Sequence, residues 1–371
     1  MKPTALLSDT LLVDRRIGRI PLRNLWFLML YASDVARFTS RFDALVEEDL
    51  DNLPELVATL LAREVELRMR RNLTRNYRHR EAVLTRVRGR IDLLRTSTER
   101  LLDRGEVACR FDELTLDTTR NRFVRAALER IARLVTDRDL AQHCRRLGGD
   151  FGRAGVSGVV PSRADLARDQ ISRNDDEDRF MLALARLSFD LALPTEEAGR
   201  IPLAAPDREE RWIRRLFEKA VSGFYAVELS PMGWIVRSGY QLQWPITVAS
   251  DGIDAILPSM RTDVILDAPD GRRIVIDTKF TAIVTAGWYR EESLKSAYLY
   301  QIYAYLRSQE KPDDRASPWN TATGILVHPA INKGLDERMT IQGHQVRFVT
   351  VDLAASPQAI RRELREIVLA E

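Results

Sequence analysis

The spacing of apolar residues along the chain predicts alternating helices and strands. Apolar residues recur at three- and four-residue steps in six segments, which is the spacing of helices that bury one face. Shorter and more continuous apolar runs, in part β-branched, predict buried strands. The first predicted helix begins at Pro21, and the other five cover 53–73, 121–135, 175–191, 209–225 and 291–308. The predicted strands include 264–266, 274–276 and 323–327.

The strands at 264–266 and 274–276 are predicted to form a hairpin. The residues between them include Ala-Pro-Asp-Gly, in which Pro269 presets φ and Gly271 can take a positive φ. A hairpin with apolar arms and this turn is expected to be buried in a sheet, so any charge on it requires an explanation.

Three charged residues lie at one end of this hairpin. Asp277 and Lys279 are two apart on one strand and therefore share a face, and Asp263 can meet them across the pair. Two carboxylates and an ammonium group in an apolar setting need compensation, most simply by a divalent metal. The alternative is a surface hairpin with ordinary charges, since 54 acidic residues and six lysines in 371 supply roughly one acidic-x-Lys by chance.

Composition sets limits on the class of protein. A chain of 371 residues is long enough for two domains, and 45% apolar with 30% charged residues is typical of a soluble globular protein. The formal net charge is only +3, so nucleic-acid binding can be argued only from local patches. Cys109 and Cys144 lack the spacing of a zinc site, which predicts no zinc and a cytoplasmic protein. The apolar run 25–32 is too short to span a bilayer, so no membrane is expected.

The amino-terminal half carries an arginine-rich run and no nucleotide-binding loop. Residues 68–90 contain nine arginines, which can bind phosphates or, more commonly, form a solvated face paired with acids. The sequence Gly-x-x-x-x-Gly-Lys-Ser/Thr is absent, and 148–158 is predicted to be a glycine-rich loop. Three prolines in 193–207 predict a boundary loop, which gives domains at 1–195 and 205–371.

The order strand, strand, helix, strand around Asp263 and Lys279 resembles the PD-(D/E)xK nuclease core. The resemblance implies that Asp263 and Asp277 hold Mg²⁺, for which Mn²⁺ can substitute, and that Lys279 orients or helps deprotonate the attacking water. The predicted fold class is therefore α/β, with a restriction-endonuclease-like core of a mixed sheet flanked by helices. That core is expected to follow a mixed α+β amino-terminal domain.

Three further residues are candidates by the same resemblance. Gln301 and Tyr305 lie one turn apart on the helix after the Asp-x-Lys strand, as in the Gln-x-x-x-Tyr helix that borders the cleft in the RecB-like branch. The alternative is that Tyr305 is a core residue and Gln301 a boundary residue. Glu218, on the helix ahead of the hairpin, is the candidate for a further carboxylate, and its alternative is an exposed helix charge.

Segments spread over nearly the whole chain also resemble the McrC family of nuclease subunits from modified-cytosine-dependent McrBC restriction systems. They occur in family order: Ile20-Pro-Leu-Arg-Asn-Leu-Trp-Phe-Leu-Met-Leu-Tyr31, Val87-Arg-Gly-Arg-Ile91, Phe111-Asp-Glu, Asn121-Arg, Leu216-Phe-Glu-Lys219, Leu257-Pro-Ser-Met-Arg-Thr-Asp263, Ile276-Asp-Thr-Lys279 and Leu299-Tyr-Gln-Ile-Tyr-Ala-Tyr305. One departure is Phe280-Thr281, where relatives tend to have two aromatic residues.

This second resemblance implies an activity and partners. The chain is expected to be a DNA endonuclease subunit that cuts double-stranded DNA carrying modified cytosine and stimulates a McrB-like AAA+ GTPase ring. The amino-terminal domain is expected to act on that ring. The competing hypothesis is a non-cleaving adaptor that binds DNA and activates the motor.

Overall fold

The computed structural model of the chain describes residues 16–17, 20–38, 52–71, 73–169, 176–200, 206–281, 284–285, 293–330 and 334–370. No helix in these ranges is both long and apolar enough to cross a membrane. The helices and strands are, in chain order, β1 (Arg16–Ile17), β2 (Ile20–Pro21), α1 (Leu22–Ala32), α2 (Leu53–Arg71), β3 (Asn76–Leu84), β4 (Arg90–Ile91), α3 (Leu93–Thr98), β5 (Val107–Thr115), α4 (Thr119–Ile131), α5 (Arg138–Arg153), α6 (Arg163–Arg168), α7 (Asp176–Arg200), α8 (Pro206–Leu229), β6 (Ile235–Ser238), β7 (Gln241–Leu242), β8 (Met260–Arg261), β9 (Val264–Asp267), β10 (Arg273–Thr278), β11 (Val284–Thr285), β12 (Ser293–Leu294), α9 (Ser296–Ser308), β13 (Thr323–Pro329), β14 (Asp336–Ile341), β15 (His344–Val351) and α10 (Pro357–Leu369).

The chain divides into two compact units, one of Pro54–Ala192 and one that combines Met1–Leu53 with Leu193–Glu371. The sequence predicts domains at 1–195 and 205–371, so the first 53 residues belong to a different unit from the one expected. The reason lies in α1, which is buried on nearly every side from Leu22 to Tyr31. A helix that is apolar on all sides must be packed on several sides. Helix α1 is packed within the unit that contains 193–371.

The larger unit is built on a six-stranded mixed sheet in the order β14-β15-β13-β10-β9-β6. Strand β10 lies between β9, to which it is antiparallel, and β13, to which it is parallel. The hairpin predicted from the sequence is confirmed, with Ile276 paired to Val264 and Gly271 at φ 91° in the turn. The mixed sheet flanked by helices is the predicted fold class in its general form.

Helices cover both faces of this sheet. On one face, Ile302 and Leu306 of α9 pack in a core with Val275 of β10 and Leu326 of β13. This helix starts at Ser296 rather than at 291, and residues 291–292 lie outside the described ranges. The alternate strand residues, such as Ile276, are also buried, so the sheet has no solvent-facing side here.

Helix α1 is fixed to this unit by polar and close contacts. Asn24 is fully buried and donates from Nδ2 to the carbonyls of Leu353 at 2.7 Å and Ala355 at 2.8 Å. Tyr31 packs edge-on against Phe224 of α8, with ring centroids 5.2 Å apart. These contacts explain why residues distant in sequence from the sheet form part of its unit.

The smaller unit combines helices with a three-stranded antiparallel sheet in the order β3-β5-β4. Its central polar contact is the buried carboxylate of Asp178, which pairs with Arg68 Nε at 2.6 Å and Arg120 Nη1 at 3.3 Å. The same carboxylate accepts a hydrogen bond from Thr74 Oγ1 at 2.7 Å. One charged group on α7 therefore links α2, α4 and the start of the sheet.

Two predicted loops are helical in the structure. The glycine-rich stretch predicted at 148–158 lies largely in α5, which Asp137 caps at its amino end. A Cβ on Gly152 would lie 3.2 Å from the guanidinium group of Arg125, so this glycine leaves room for that side chain of α4. The boundary loop predicted at 193–207 is also shorter, since α7 ends at Arg200 and α8 begins at Pro206.

A substitution at Gly223 tests the packing of α1 on α8. A Cβ at this position would lie 1.8 Å from the carbonyl oxygen of Tyr31, so Gly223→Ala must push the two helices apart. We expect a loss of roughly 3 kcal/mol in the free energy of unfolding, measured by urea denaturation. Gly252→Ala is the control, because nothing lies within 4 Å of its Cβ position. Equal stability of both variants and the wild type would contradict this close packing.

Candidate active site

The carboxylate of Asp277 lies buried at the carboxyl end of the central strand β10. Its residue is 2% exposed, and Lys279 Nζ lies 2.6 Å from its Oδ2. Burial raises the pKa of Asp277 to about 6; Lys279 opposes this, and Asp263 and Glu218 add to it. Asp277 and Lys279 therefore lie side by side, although the strand ends at Thr278 and only Asp277 is buried. Burial is the largest influence on the pKa of Asp277.

Asp263 precedes β9 and is held next to the same strand end. Its Oδ2 accepts two hydrogen bonds from Thr278, one from the backbone N–H and one from the hydroxyl, both at 2.7 Å. Both bonds go to one oxygen, so Oδ1 can bind another group. Thr278 is the residue between Asp277 and Lys279, and the sequence analysis did not assign it a role.

Glu218 of α8 is the third carboxylate near this point. Burial raises the pKa of Glu218, and the charge of Asp263 raises it further, while Arg261, Lys219 and Lys279 lower it. An exposed helix charge would not be desolvated in this way. The structure therefore brings Glu218 within electrostatic reach of the aspartates.

Gln301 and Tyr305 form a short hydrogen-bond chain on α9. Gln301 Nε2 donates to the Tyr305 hydroxyl at 2.7 Å, and that hydroxyl donates to the carbonyl of Arg261 at 2.8 Å. Tyr305 is also buried, and burial with the charge of Asp277 raises its pKa to about 12. The tyrosine is thus a core residue that also fixes the backbone two residues before Asp263.

Comparisons with known proteins identify the family of this chain. The sequence profile of the family described as "McrBC 5-methylcytosine restriction system component" matches residues 7–315. The chain belongs to this McrBC family.

The chain is similar to one named protein and to one chain of a solved structure. The chain is 24% identical over 350 residues to the Escherichia coli K12 "Type IV methyl-directed restriction enzyme EcoKMcrBC", covering 94% of this chain and 97% of that protein. It is also similar to a chain in a refined half-complex from a tetradecameric assembly of Thermococcus gammatolerans McrB AAA+ hexamers with bound McrC. That match has 16% identity and a TM-score of 0.40, and it covers 85% of this chain and 68% of that one.

The donor set of this McrBC family member suits a hard divalent cation. Within the described ranges, no three Asp, Glu, His or Cys side chains form a group that could hold a metal alone. Mg²⁺ is, however, commonly held by one or two carboxylates, with water and substrate phosphate completing the shell. Asp263 Oδ1 and the desolvated Asp277 carboxylate meet that requirement, since a cation would relieve their mutual repulsion.

Tyr298 and His328 also border the site, although the sequence analysis gave them no functional role. The Lys279 ammonium lies 5.3 Å from the ring centroid of Tyr298, and the Tyr298 hydroxyl is 3.3 Å from Thr281 Oγ1. His328 Nδ1 lies 2.9 Å from the Thr281 carbonyl, and burial lowers the pKa of His328 to about 4. The neutral ring therefore donates to the segment that follows Lys279. In the sequence, His328 directly follows the strand predicted at 323–327, but only the parallel pairing of that strand with β10 places it at the site.

Replacing Asp277 tests whether the cost of burying its carboxylate outweighs the gain from its ion pair with Lys279. In EDTA at about pH 7.5, we expect Asp277→Asn to be more stable than the wild type by about 1 kcal/mol, because the amide avoids the cost of a buried charge. The folded chain holds the Asp277 proton up to about pH 6, whereas the ordinary pKa of an aspartate is 3.8, so wild-type stability falls as pH rises through this window. The gain should therefore shrink as pH is lowered towards 4.

Urea denaturation across this pH range measures the effect. Asp270→Asn is the control, since this turn carboxylate is exposed and should give no gain. A variant at Asp277 that is less stable than the wild type at about pH 7.5 would show that the ion pair with Lys279 outweighs the burial cost.

Proposed function

We propose that the chain is the DNA-cutting subunit of a modification-dependent restriction system, with a PD-(D/E)xK nuclease core and Mg²⁺ as its cofactor. The single observation that carries the proposal is the arrangement of Asp277, Lys279 and Asp263 at the end of β10. Membership of the McrBC family supports it independently. A buried carboxylate with a raised pKa is costly to keep, and such groups are concentrated at functional sites.

Each residue of the site would have a distinct role. Asp263 and Asp277 would hold Mg²⁺, which when bound supplies positive charge to polarise the phosphate and acidify a water. Lys279 lies against Asp277 and can orient the attacking water and offset negative charge in the transition state. Thr278 orients Asp263, and the Gln301–Tyr305 chain fixes the backbone ahead of it.

The partners follow from the same proposal. The family is described as part of a 5-methylcytosine restriction system, which supports double-stranded DNA with modified cytosine as the substrate. The sequence has no Gly-x-x-x-x-Gly-Lys-Ser/Thr motif, so nucleotide hydrolysis is assigned to a separate McrB-like AAA+ GTPase ring. A cytoplasmic location fits a system that cuts incoming DNA.

The unit Pro54–Ala192 is proposed to act on that GTPase. Arginines of the 68–90 run differ in their contacts: Arg80 pairs with Glu113 at 2.7 Å, and Arg88 pairs with the same carboxylate at 3.4 Å and lies over Phe111. Arg86 and Arg90 are exposed and form no ion pair within the described ranges. These two arginines are therefore the better candidates for contact with another molecule.

Cleavage assays test the nuclease assignment. We expect Asp277→Asn and Lys279→Ala each to reduce Mg²⁺-dependent cleavage of modified duplex DNA by at least about 100-fold, because each removes a group that would act on the reacting phosphate. The assay contains the full-length chain, the partner GTPase and GTP, with an arm in EDTA.

Lys311→Ala is the matched control for this assay, since this lysine is exposed and lies beyond the far end of α9. Normal cleavage by both site variants would remove the nuclease assignment. It would then favour an adaptor that binds DNA and activates the motor.

Charge reversal tests the role of the smaller unit. We expect the double variant Arg86→Glu and Arg90→Glu, made in the full-length chain, to lower stimulation of the partner GTPase by roughly tenfold. The two glutamates would repel an acidic surface of the partner that the arginines attract. The measurement is the rate of phosphate release from GTP. Arg338→Glu is the control, as it reverses an exposed arginine of the other unit. Undiminished stimulation by the double variant would identify these arginines as merely solvated.

A further inference from the structure

Two successive residues of β13 hold the segment that carries Lys279. Strand β10 ends at Thr278, so Lys279 lies just beyond the regular pairing of the sheet. Its backbone N–H donates to the carbonyl of Val327 at 2.9 Å. Further along the chain, the carbonyl of Thr281 lies 2.9 Å from Nδ1 of His328, the next residue of β13. The neighbouring strand therefore holds the segment 279–281 at both of its ends.

The contact from His328 can be made in only one form of the ring. A carbonyl oxygen only accepts hydrogen bonds, so Nδ1 must carry the proton and donate it. His328 is 1% exposed, and burial lowers its pKa to about 4, so the ring is neutral at physiological pH. A buried neutral ring with one fixed tautomer supports the carbonyl rigidly and adds no charge beside Lys279.

Tyr298 connects the same segment to the side chain of Lys279. Its hydroxyl lies 3.3 Å from Thr281 Oγ1, and its ring centroid lies 5.8 Å from that of His328. The ammonium group of Lys279 is 5.3 Å from the centroid of the Tyr298 ring. Thr281 is therefore contacted at its carbonyl by His328 and at its hydroxyl by Tyr298, whose ring also borders the ammonium group.

The ammonium group of Lys279 depends on this support for its position. A lysine side chain is long and flexible, so its charged end is placed only as well as its backbone and its contacts are fixed. One contact is the carboxylate of Asp277 at 2.6 Å, which under the proposed function would also bind Mg²⁺. Because that carboxylate would be shared with the metal, the backbone of 279–281 has to supply part of the order. A displacement of about 1 Å near the reacting atoms can lower a rate by about 100-fold.

We propose that His328 is a positioning residue for cleavage: by donating to the Thr281 carbonyl, it fixes the segment that carries Lys279 and so keeps the ammonium group against Asp277. The inference rests on the proposed nuclease function and adds to it a residue that acts through Lys279. It gives a role to a strand residue outside the Asp263, Asp277 and Lys279 set.

Three substitutions separate the hydrogen bond from the bulk of the ring. His328→Leu keeps a side chain of similar volume and removes the donor, whereas His328→Asn carries an N–H close to the position of Nδ1. His328→Gln carries its N–H one bond further from the backbone. It should therefore behave like His328→Leu, and it decides the comparison if the leucine variant does not fold.

His344→Leu is the matched control for these variants. His344 is also a buried histidine of the same sheet, and its Nδ1 lies 2.8 Å from the carbonyl of Ala322. It begins β15, which runs parallel to β13, whereas His328 lies near the end of β13. The control therefore removes a buried ring at the opposite end of the parallel strands from the site.

The position of the Lys279 ammonium group can be measured without cleavage. The full-length chain in EDTA is treated with a low dose of an acetylating reagent, and mass spectrometry compares labelling of Lys279 with that of the exposed Lys311. In the wild type, the Lys279 side chain is 19% exposed and paired with Asp277, which protects it. We expect its relative labelling to rise roughly fivefold in His328→Leu, the factor by which one hydrogen bond shifts an equilibrium. His328→Asn and His344→Leu should stay within roughly twofold of the wild type.

Cleavage kinetics test whether this position matters for the reaction. With the partner GTPase, GTP and Mg²⁺ present, we expect His328→Leu to lower the maximal rate of cleavage by roughly 10- to 100-fold. The DNA concentration that gives half of this rate should change by less than about twofold, because the contact acts on a reacting group and not on DNA binding. His328→Asn should restore the rate to within about threefold of the wild type.

The two readouts distinguish this inference from the proposed function. Unchanged Lys279 labelling in His328→Leu and His328→Gln would overturn the inference at any cleavage rate. A loss of cleavage that His328→Asn does not restore would show that the imidazole ring itself takes part, which also contradicts a positioning role. A change in the half-saturating DNA concentration alone would place the effect in binding and overturn it as well.

Cleavage by the wild type decides the remaining cases. If labelling changes as expected but the wild type does not cut DNA, the nuclease assignment fails, while the support of Lys279 by His328 stands. If the wild type cuts DNA and His328→Leu cuts at the same rate, the positioning role is wrong and the nuclease assignment stands.

Discussion

The burial of one carboxylate, Asp277, is the constraint on which the larger unit depends. A charge removed from water at the centre of a sheet must be compensated, and Lys279 and the neighbouring groups supply that compensation. The hairpin places Asp263 beside it, and α9 covers the same face with Tyr305 and Tyr298. Because β10 is central, with β9 on one side and β13 on the other, residues from both neighbours reach the strand end.

The two units use buried charge in different ways. In Pro54–Ala192, Asp178 is paired with Arg68 and Arg120 and accepts a hydrogen bond from Thr74, so its charge is compensated within the protein and links helices. At Asp277, the nearby carboxylates add to the cost of the charge. The acidic neighbours of Asp277 are an arrangement that concentrates at functional sites, whereas the basic neighbours of Asp178 are typical of a structural ion pair.

The choice between arginine and lysine follows the same division. Arginine forms the ion pairs with Glu113 and Asp178, where its fork-shaped group makes several directed contacts. Lysine is rare in the chain, and the ammonium groups of two of the six lysines, Lys279 and Lys295, lie 5.3 Å and 5.4 Å from the ring centroid of Tyr298 at the site.

The sequence by itself determined the hairpin, the Asp-x-Lys pair and the helix that carries Gln301 and Tyr305, because strand alternation, turn residues and helical spacing are local signals. It did not determine that α1 joins the distant sheet, that 148–158 is largely helical, or that Tyr298 and His328 border the site. Those features depend on which surfaces meet in the folded chain. Gly223 permits the close contact between α8 and α1, and His328 reaches Thr281 only because β13 lies parallel to β10. The apolar runs indicated that the hairpin is buried, but the rise in the pKa of Asp277 also depends on Lys279, Asp263 and Glu218, which only the packed structure brings together.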